Sequence, residues 1–478
     1  MKLIFGSADG FQVKAYFVRP DGGFLAGGDG ENLRLESARR YESFAGDANQ
    51  VCCIRDYQSG DASVFVGLGS SPTDAEILRR AVAALVEYAE RQKLDAIALP
   101  LSGADANLLR AAAEAAVMAG YRYTAFLTGK TSCGLKEMTF EADEALRWAF
   151  DEGVTLGDAV CEARDLVNEP ANSQTPEKLA QEAVALGKKY GFTTELLDET
   201  RIFALGMEAL SAVSVGSPNP PVVIVMRYCG DPAHPEEILG LIGKGVTYDS
   251  GGLNLKSGQR FITMKHDMAG GGTVIGAICA IARQGLKANV TAVVAACENV
   301  ISGYAYKPGD IIGSMAGKTI QINSTDAEGR LTLIDAICYA VQYEHVTQLV
   351  DIATLTGAAR RILGEYGAPV LSNDDALCAA LGEGALDAGE LICRVPLVED
   401  ARKKIRGDVS DYVNTSLAET GGMVTAALFL EEFVSKKPWV HIDAAGPLWL
   451  DHEMPFTPKG GSGWGVRTLY HLVKRLSK

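Results

Sequence analysis

The chain has 478 residues, of which 47% are hydrophobic and 22% charged, as is typical of globular proteins. Its 45 Lys and Arg against 60 Asp and Glu give a net charge of −15, which disfavours a nucleic-acid-binding role. It has no run of 18 apolar residues and its start lacks the pattern of a signal peptide, so we expect a cytoplasmic protein without membrane partners. The ten cysteines include no CxxC pair, which disfavours zinc-finger and thioredoxin chemistry.

The first 150 residues predict a small N-terminal α/β domain. Short apolar runs predict strands at 13–18, 62–69, 95–101 and 122–128, and helical periodicity predicts helices over 74–92 and 104–119. Residues 131–141 are polar and predict a loop. A long helical segment over 141–166 follows and is expected to connect to a second domain, residues 151–478.

The second predicted domain alternates strands with helices. Thr175 and Pro176 are typical of the N-cap and first position of a helix. Strands are expected at 222–228, 237–243, 290–297, 319–322, 348–355 and 439–445, and helices near 267–284, 330–343 and 420–435. Near-continuous apolar strands between helices indicate the α/β class, and we expect a larger α/β domain whose central mixed sheet is flanked by helices.

Charged residues gather where apolar elements end. They are four carboxylates and three cations: Asp249, Asp267, Asp326, Glu328, Lys244, Lys256 and Arg330. Ligands in α/β sheets collect at the carboxyl ends of strands, so these side chains could converge at one sheet edge. Taken singly, each also fits an ordinary role as a helix cap or a surface ion-pair partner.

The four carboxylates favour a metal site. Placed close together they would repel and take up protons unless a cation neutralised them. Two divalent ions about 3.5–4 Å apart would do so. With only six His and no paired Cys, oxygen must dominate the ligand set, which suits Mg, Mn or Zn.

The motifs resemble one family of enzymes. Residues 324–331 read Ser-Thr-Asp-Ala-Glu-Gly-Arg-Leu and resemble the signature of the leucyl (cytosol) aminopeptidase family, two-metal exopeptidases, with Ser324 in place of Asn. Residues 243–256 are similar to the family's first metal loop, and the segments 298–310, 353–358 and 441–446 follow in the family's order. The resemblance covers roughly residues 160–478, while residues 1–150 fit in length and α/β character.

The resemblance implies two divalent ions per chain, Mn or Zn, with Mg or Co as alternatives. One ion would be held by Lys244, Asp249, Asp267 and Glu328, and the other by Asp249, Asp326 and Glu328 together with the Asp326 main-chain carbonyl. Lys256 and Arg330 would be the catalytic pair that does not bind metal, with bicarbonate held at Arg330 as the base. Keeping Lys244 neutral near pH 7 costs about 4.6 kcal/mol, which metal binding must offset.

The resemblance also implies the reaction. We expect an aminopeptidase that hydrolyses the N-terminal residue of peptides, Leu and other neutral residues preferred, through a water that bridges the two metals. The residues around the first substrate side chain would be Met264, Thr354, Gly357, Ala445 and Leu448, the last where some members place Met. The partners would be peptides with a free N-terminus and further copies of the chain in a homohexamer, a dimer of trimers.

Three alternatives remain open at this point. The same carboxylates would serve a different two-metal hydrolase, such as a phosphatase. A member of such a fold could also be a nucleic-acid-binding regulator without peptidase activity, which the net charge of −15 disfavours. An inactive scaffold is disfavoured because all seven expected metal and catalytic positions are present.

Overall fold

A computed structural model describes residues 1–129, 134–258, 260–416 and 420–477. The chain divides into two compact units, Met1–Cys161 with His452–Pro458, and Glu162–Asp451 with Lys459–Lys478. This division and the predicted boundary after residue 150 both fall within one helix, Arg147–Asn168. Within the described residues, no helix is both long and apolar enough to cross a membrane.

The first unit is a sheet with helices packed on it. Its strands are β1 (Lys2–Phe5), β2 (Val13–Val18), β3 (Val51–Arg55), β4 (Ala62–Gly67), β5 (Ala96–Pro100) and β6 (Glu137–Glu141). Its helices are α1 (Asn32–Tyr41), α2 (Ala75–Arg91) and α3 (Ala106–Ala119), then a 3-10 turn (Glu144–Leu146) and the start of α4 (Arg147–Asn168). Over the described residues the strand order is β1-β6-β5-β2-β4-β3, parallel except that β3 runs antiparallel to β4.

Most predicted elements of this unit are confirmed. Helices α2 and α3 begin where an aspartate caps them, since Asp74 accepts from the Ile77 N–H and Asp105 from the Leu108 N–H. The predicted strand at 122–128 is wrong, because these residues form a loop in which the side chain of Phe126 is 59% exposed.

The sheet instead takes strand β6 from a segment that the sequence predicts to be a loop. Residues 131–133 of that segment lie outside the described residues, and the prediction is wrong for Glu137–Glu141. The side chains of Met138 and Phe140 are fully buried in the core, and β6 pairs with β1 on one side and β5 on the other. Backbone pairing on both sides outweighs the polar character of the segment.

The second unit holds most of the chain. Its strands are β7 (Thr193–Leu197), β8 (Val222–Cys229), β9 (Ile238–Asp249), β10 (Asn289–Asn299), β11 (Ile311–Ile312), β12 (Ile320–Gln321), β13 (Gln348–Ala353), β14 (Gly367–Ser372), β15 (Leu391–Arg394), β16 (Tyr412–Val413), β17 (Trp439–Asp443), β18 (Trp449–Leu450) and β19 (Gly460–Gly461). Its helices are α5 (Pro176–Tyr190), α6 (Glu199–Ala204), α7 (Glu208–Ser214), α8 (Arg260–Thr263), α9 (Ala269–Arg283), α10 (Gly329–Gln342), α11 (Gly357–Leu363), α12 (Asp375–Ala388), α13 (Gly422–Glu431) and α14 (Val466–Leu476), with 3-10 helices at Met264–Met268 and Glu399–Ile405.

The central sheet of this unit is mixed, as the sequence predicts. In the described part of the chain its order is β15-β14-β17-β13-β9-β10-β8-β7. The four middle strands, β17, β13, β9 and β10, run parallel, so their carboxyl ends meet at one edge. Helix α5 begins as predicted, because Thr175 accepts from the Lys178 N–H and Pro176 takes the first helical position.

Helix α9 lies directly on the backbone of this sheet. A Cβ atom on Gly243 of β9 would lie 2.6 Å from the Cα atom of Gly271, and one on Gly270 would lie 2.1 Å from the carbonyl oxygen of Ile352. Only glycine permits such contact. The close packing of α9 brings the residues that precede it, including Asp267, against β9. Ile242, on the opposite face, joins the apolar core that contains Leu333 of α10.

Candidate metal centre

Strand β9 supplies two of the predicted site residues. The sequence predicts that this strand ends at residue 243, but the strand continues to Asp249, so Lys244 lies inside it. Both side chains are buried, Lys244 at 3% and Asp249 at 1% exposure. A buried Lys or Asp requires charged or hydrogen-bonding partners, which points to a site at this position.

A bulge in β9 turns both side chains toward the same face of the sheet. Residues five apart on a regular strand point to opposite faces. Val246 pairs with Cys297 and Tyr248 pairs with Glu298, so Thr247 is an extra residue between them. The extra residue reverses the alternation, and Asp249 therefore lies on the face that Lys244 occupies. The Thr247 hydroxyl donates to the Cys297 carbonyl over 3.3 Å, which holds the bulge.

Three carboxylates converge where β9 ends and in the segment that follows β12. Asp249, Asp326 and Glu328 each place one carboxylate oxygen so that all three oxygens lie within 4.8 Å of one another. Gly251 permits this approach, because it adopts a φ of 85° and a Cβ atom there would lie 2.8 Å from Asp326 Oδ1. Of the seven side chains that the sequence predicts to meet at the sheet edge, these three carboxylates come together here.

Two lysines link these carboxylates. The Lys244 Nζ atom lies 2.7 Å from Asp267 Oδ2 and 2.8 Å from Glu328 Oε1. The Lys256 Nζ atom lies 2.6 Å from Asp249 Oδ2 and also contacts Asp326 Oδ1. Asp267 therefore belongs to the same charged cluster through Lys244.

The charges of the cluster shift one another's pKa values. Burial, followed by repulsion from Glu328, raises the pKa of Asp249 to about 7, and burial raises that of Asp326 to about 6. Burial also raises the pKa of Glu328, but the positive charges of Lys244 and Lys256 outweigh it and lower the pKa to about 2. For Lys244, burial lowers the pKa and the neighbouring carboxylates more than reverse this, so the net shift is upward.

The donor set fits divalent cations. Among the described residues, the buried Oε2 atom of Glu328 accepts no hydrogen bond. Asp249 and Asp326 carry pKa values that a bound cation would lower, because a positive charge favours the ionised carboxylate. Grouped carboxylate oxygens are the ligands that hard divalent ions prefer.

Arg330 lies at the start of α10, beside the cluster. Its Nη1 atom donates to the Asn414 carbonyl over 2.8 Å, and burial lowers the pKa of the guanidinium to about 10. In the described part of the chain its buried Nε atom has no hydrogen-bond partner. Part of the planar fork is therefore free to bind an anion.

The predicted substrate residues differ in their surroundings. Thr354 joins the cluster directly, since its hydroxyl donates to Asp267 Oδ1 over 2.7 Å. Gly357 begins α11, and a Cβ atom there would meet no described atom within 4 Å, so the space is open. Met264 and Ala445 are half-buried, whereas Leu448 is only 1% exposed.

Sequence reasoning gave no role to three buried polar residues of the site. Asn299 donates to Asp249 Oδ1 over 2.8 Å, and Asn414 positions Arg330. Asp443 accepts from the Thr356 hydroxyl over 2.6 Å and orders the turn before α11. Asn299 and Asp443 are polar residues that end apolar strands, the same signal that identified Asp249.

Comparison with known sequences agrees with this geometry. Residues 161–470 match the cytosol aminopeptidase family, catalytic domain, and residues 29–130 match the N-terminal domain of the same family. The chain belongs to the cytosol aminopeptidase family. The resemblance predicted from the motifs is therefore confirmed, and so is the α/β fold.

Relatives of known sequence cover nearly the whole chain. A probable cytosol aminopeptidase of Clostridium perfringens is 42% identical over 461 residues, 94% of this chain and 93% of the relative. A second, from Alkaliphilus oremlandii, is 40% identical over 87% of this chain and 85% of its own length. Family membership supports a hydrolase that acts as a metal-dependent aminopeptidase, and it does not favour a regulatory or scaffold role.

Two solved structures of proteins with similar sequences share the fold. The bottromycin maturation enzyme BotP, in complex with Mn, is 33% identical, with a TM-score of 0.88 over 98% of this chain and 100% of that one. A mutant of tomato leucine aminopeptidase is 31% identical, with a TM-score of 0.88 over 99% of this chain and 97% of that one.

Proposed function

We propose that this member of the cytosol aminopeptidase family removes neutral N-terminal residues, Leu above others, from peptides with a free amino terminus. The observation that carries the proposal is the convergence of Asp249, Asp326 and Glu328 within 4.8 Å beside Lys256. The cluster lies at the carboxyl ends of the parallel middle strands, which is where ligands of α/β enzymes bind.

Two divalent ions, Mn or Zn, are proposed to bind here, one held by Lys244, Asp249, Asp267 and Glu328 and the other by Asp249, Asp326 and Glu328. When bound, such ions supply a nucleophilic water near neutral pH and neutralise the carboxylates. Lys244 must release its proton to act as a ligand, and its raised pKa makes this release unfavourable in the free protein. Metal binding is therefore expected to be pH-dependent and to release protons.

Lys256 and Arg330 are proposed to assist the reaction without binding metal. The Lys256 side chain is 14% exposed and lies 2.6 Å from Asp249 Oδ2, so its ammonium can stabilise negative charge that develops on the substrate carbonyl oxygen. Arg330 presents donors in a planar fork, which suits a bidentate anion such as bicarbonate. A bicarbonate held there would accept the proton of the attacking water.

The proposed specificity follows from the uncharged residues around the first substrate side chain. Met264 and Leu448 are apolar, and Gly357 and Ala445 leave space. Burying even a neutral polar group without a partner costs about 2–7 kcal/mol, and an ionised carboxylate costs more. Leu and Met should therefore be preferred over Asp and Glu.

The specificity is tested with amides of Leu, Met and Asp and with N-acetyl-Leu amide. We expect kcat/KM to be highest for Leu or Met and lowest for Asp. The acetylated substrate should fail, because an acylated nitrogen is a poor metal ligand. A higher kcat/KM for Asp than for Leu, or equal rates on the acetylated substrate, would contradict the proposal.

Two further features are proposed from the relatives. The relatives are named as probable cytosol aminopeptidases, and we propose a cytosolic location for this chain as well. The homohexamer implied by the sequence resemblance also stays a prediction, which light scattering checks. A measured mass near 50.7 kDa at working concentration, the mass of one chain, would contradict it.

A further inference from the structure

We propose that Asn299 is a positioning residue that orients the carboxylate of Asp249 and ties it to the loop that carries Asp326. This inference rests on the proposed metal-dependent function, and it assigns to this asparagine a role in building the metal site. Asn299 ends strand β10, and its side chain is fully buried.

The amide of Asn299 makes two hydrogen bonds through one nitrogen. Its Nδ2 atom donates to Asp249 Oδ1 over 2.8 Å and to the main-chain carbonyl of Thr325 over 2.9 Å. A carboxylate and a carbonyl only accept hydrogen bonds, so the amide nitrogen must face both of them. The orientation of the side chain is therefore fixed by its surroundings.

The first of these bonds determines which oxygen of Asp249 faces the site. Asp249 Oδ1 accepts from Asn299 and, over 2.8 Å, from the Gly251 N–H. Asp249 Oδ2 is left to face Lys256, whose Nζ atom lies 2.6 Å away. Because Asn299 holds Oδ1, the Oδ2 atom of Asp249 stays available to a bound metal ion.

The second bond links separate parts of the chain. Thr325 immediately precedes Asp326, so its carbonyl fixes the loop that presents the second carboxylate. Tyr306 also donates to this carbonyl, over 2.9 Å, which means that loss of Asn299 leaves the Thr325 carbonyl with one partner. The same loss removes from Asp249 the only side-chain donor to Oδ1 among the described residues.

The bulge at Thr247 makes the contact possible. Because Thr247 is the extra residue, Asp249 pairs with Asn299 and the two side chains lie next to each other on one face. In an unbroken register Asp249 would point to the other face. The bulge therefore brings the Asp249 carboxylate within reach of Asn299, which then orients it.

The experiment compares Asn299→Ala and the isosteric Asn299→Asp with wild type and with Asn289→Ala. Asn289 is a matched control, because it begins the same strand and is also buried. Its side chain donates to the main-chain carbonyls of Asp231 and His234, at the opposite end of β10 from the metal centre. Mn²⁺ dissociation constants are measured by chelator competition, the Co²⁺ absorption spectrum reports ligand geometry, and melting of the chelated protein reports stability.

We expect both Asn299 variants to bind Mn²⁺ about 10- to 100-fold more weakly, as is usual when a group that orients a metal ligand is removed. Their Co²⁺ spectra should change, while Asn289→Ala should lower only the melting temperature. Asn299→Asp should bind Mn²⁺ weakly, because a second carboxylate would then face Asp249. If Asn299→Ala does not fold, the Mn²⁺ affinity of Asn299→Asp tests the proposal alone. The proposal would be overturned if either folded Asn299 variant kept the Mn²⁺ affinity and the Co²⁺ spectrum of wild type. It would also be overturned if Asn289→Ala lost as much Mn²⁺ affinity as the Asn299 variants. A wild-type chain that binds no metal would instead contradict the proposed function itself.

Discussion

Lys244 reaches Glu328, with 2.8 Å between Nζ and Oε1, through space that the residue after Glu328 leaves open. That residue is Gly329, where a Cβ atom would lie 2.5 Å from Lys244 Cε and 2.7 Å from its Nζ. The absence of a side chain at the start of α10 is thus part of the candidate metal centre.

Gly329→Ala should displace the Lys244 side chain and leave the fold intact. The atoms that must move belong to the end of one side chain, so the backbone can stay in place, but the buried contacts of Lys244 with Asp267 and Glu328 are disturbed and stability should fall as well. We expect Mn²⁺ affinity and kcat/KM to fall by about 10-fold or more. Gly382→Ala in helix α12 is the control, because a Cβ atom there meets no described atom within 4 Å, and that variant should keep full activity.

Glu328→Gln should destabilise the metal-free protein. The change removes a buried negative charge that pairs with Lys244, and breaking such a pair costs about 3–5 kcal/mol. Because Asp267 remains beside Lys244, we expect the lower end, about 3 kcal/mol, measured as a shift of the urea midpoint in chelator. Asp310→Asn, which breaks the more exposed pair with Lys307, should cost no more than about 1 kcal/mol. Equal effects of the two changes would be inconsistent with this description.

Arg330→Lys should lower kcat far more than it changes KM. Lysine keeps the positive charge but lacks the planar fork that binds an anion in a bidentate manner. If that anion is the base, loss should be about 10²-fold or more in kcat. The check is a bicarbonate titration, in which wild type should be activated and the variant should not respond. A variant that is activated as strongly as wild type would show that Arg330 does not hold the anion.

His441 should make stability depend on pH. Burial lowers the pKa of His441, but the Asp351 carboxylate, whose Oδ1 lies 2.6 Å from Nδ1, outweighs it, and the net shift is upward. The pair therefore contributes full stability below the usual histidine pKa of about 6.5, and this contribution is lost as pH rises through the raised value. Urea midpoints of wild type and His441→Gln, measured from acid to alkaline pH, should converge as pH increases. If the difference between the two urea midpoints grew as pH increased, the upward shift of the His441 pKa would be contradicted.

Most candidates for the metal site could be predicted from the sequence, because charged residues next to apolar segments stand out, although the end of β9 was placed six residues too early. Asp249, Asp326 and Glu328 were identified in this way, and the structure brings them together. The extra residue at Thr247 could not be identified, since a one-residue shift depends on the partner strand and leaves no trace in the apolar pattern of β9. The contact between Asn299 and Asp249 depends on that shift and was missed for the same reason.

Strand choice in the first unit shows a different limit. The sequence favours residues 122–128 over 137–141 because the former are more apolar and the latter more polar. The structure places Glu137–Glu141 between β1 and β5, where pairing on both edges decides the outcome. Such pairing involves residues far apart in the chain, and local composition does not report it.

We propose that the carboxylate cluster holds divalent ions that aminopeptidase activity requires. The most direct test measures hydrolysis of Leu p-nitroanilide, together with metal content by elemental analysis, for the protein after chelation and after addition of Mn²⁺. We expect no activity without metal, and activity that returns as two ions bind per chain. Chelated protein that contains no metal and still hydrolyses the substrate at the full rate would contradict it.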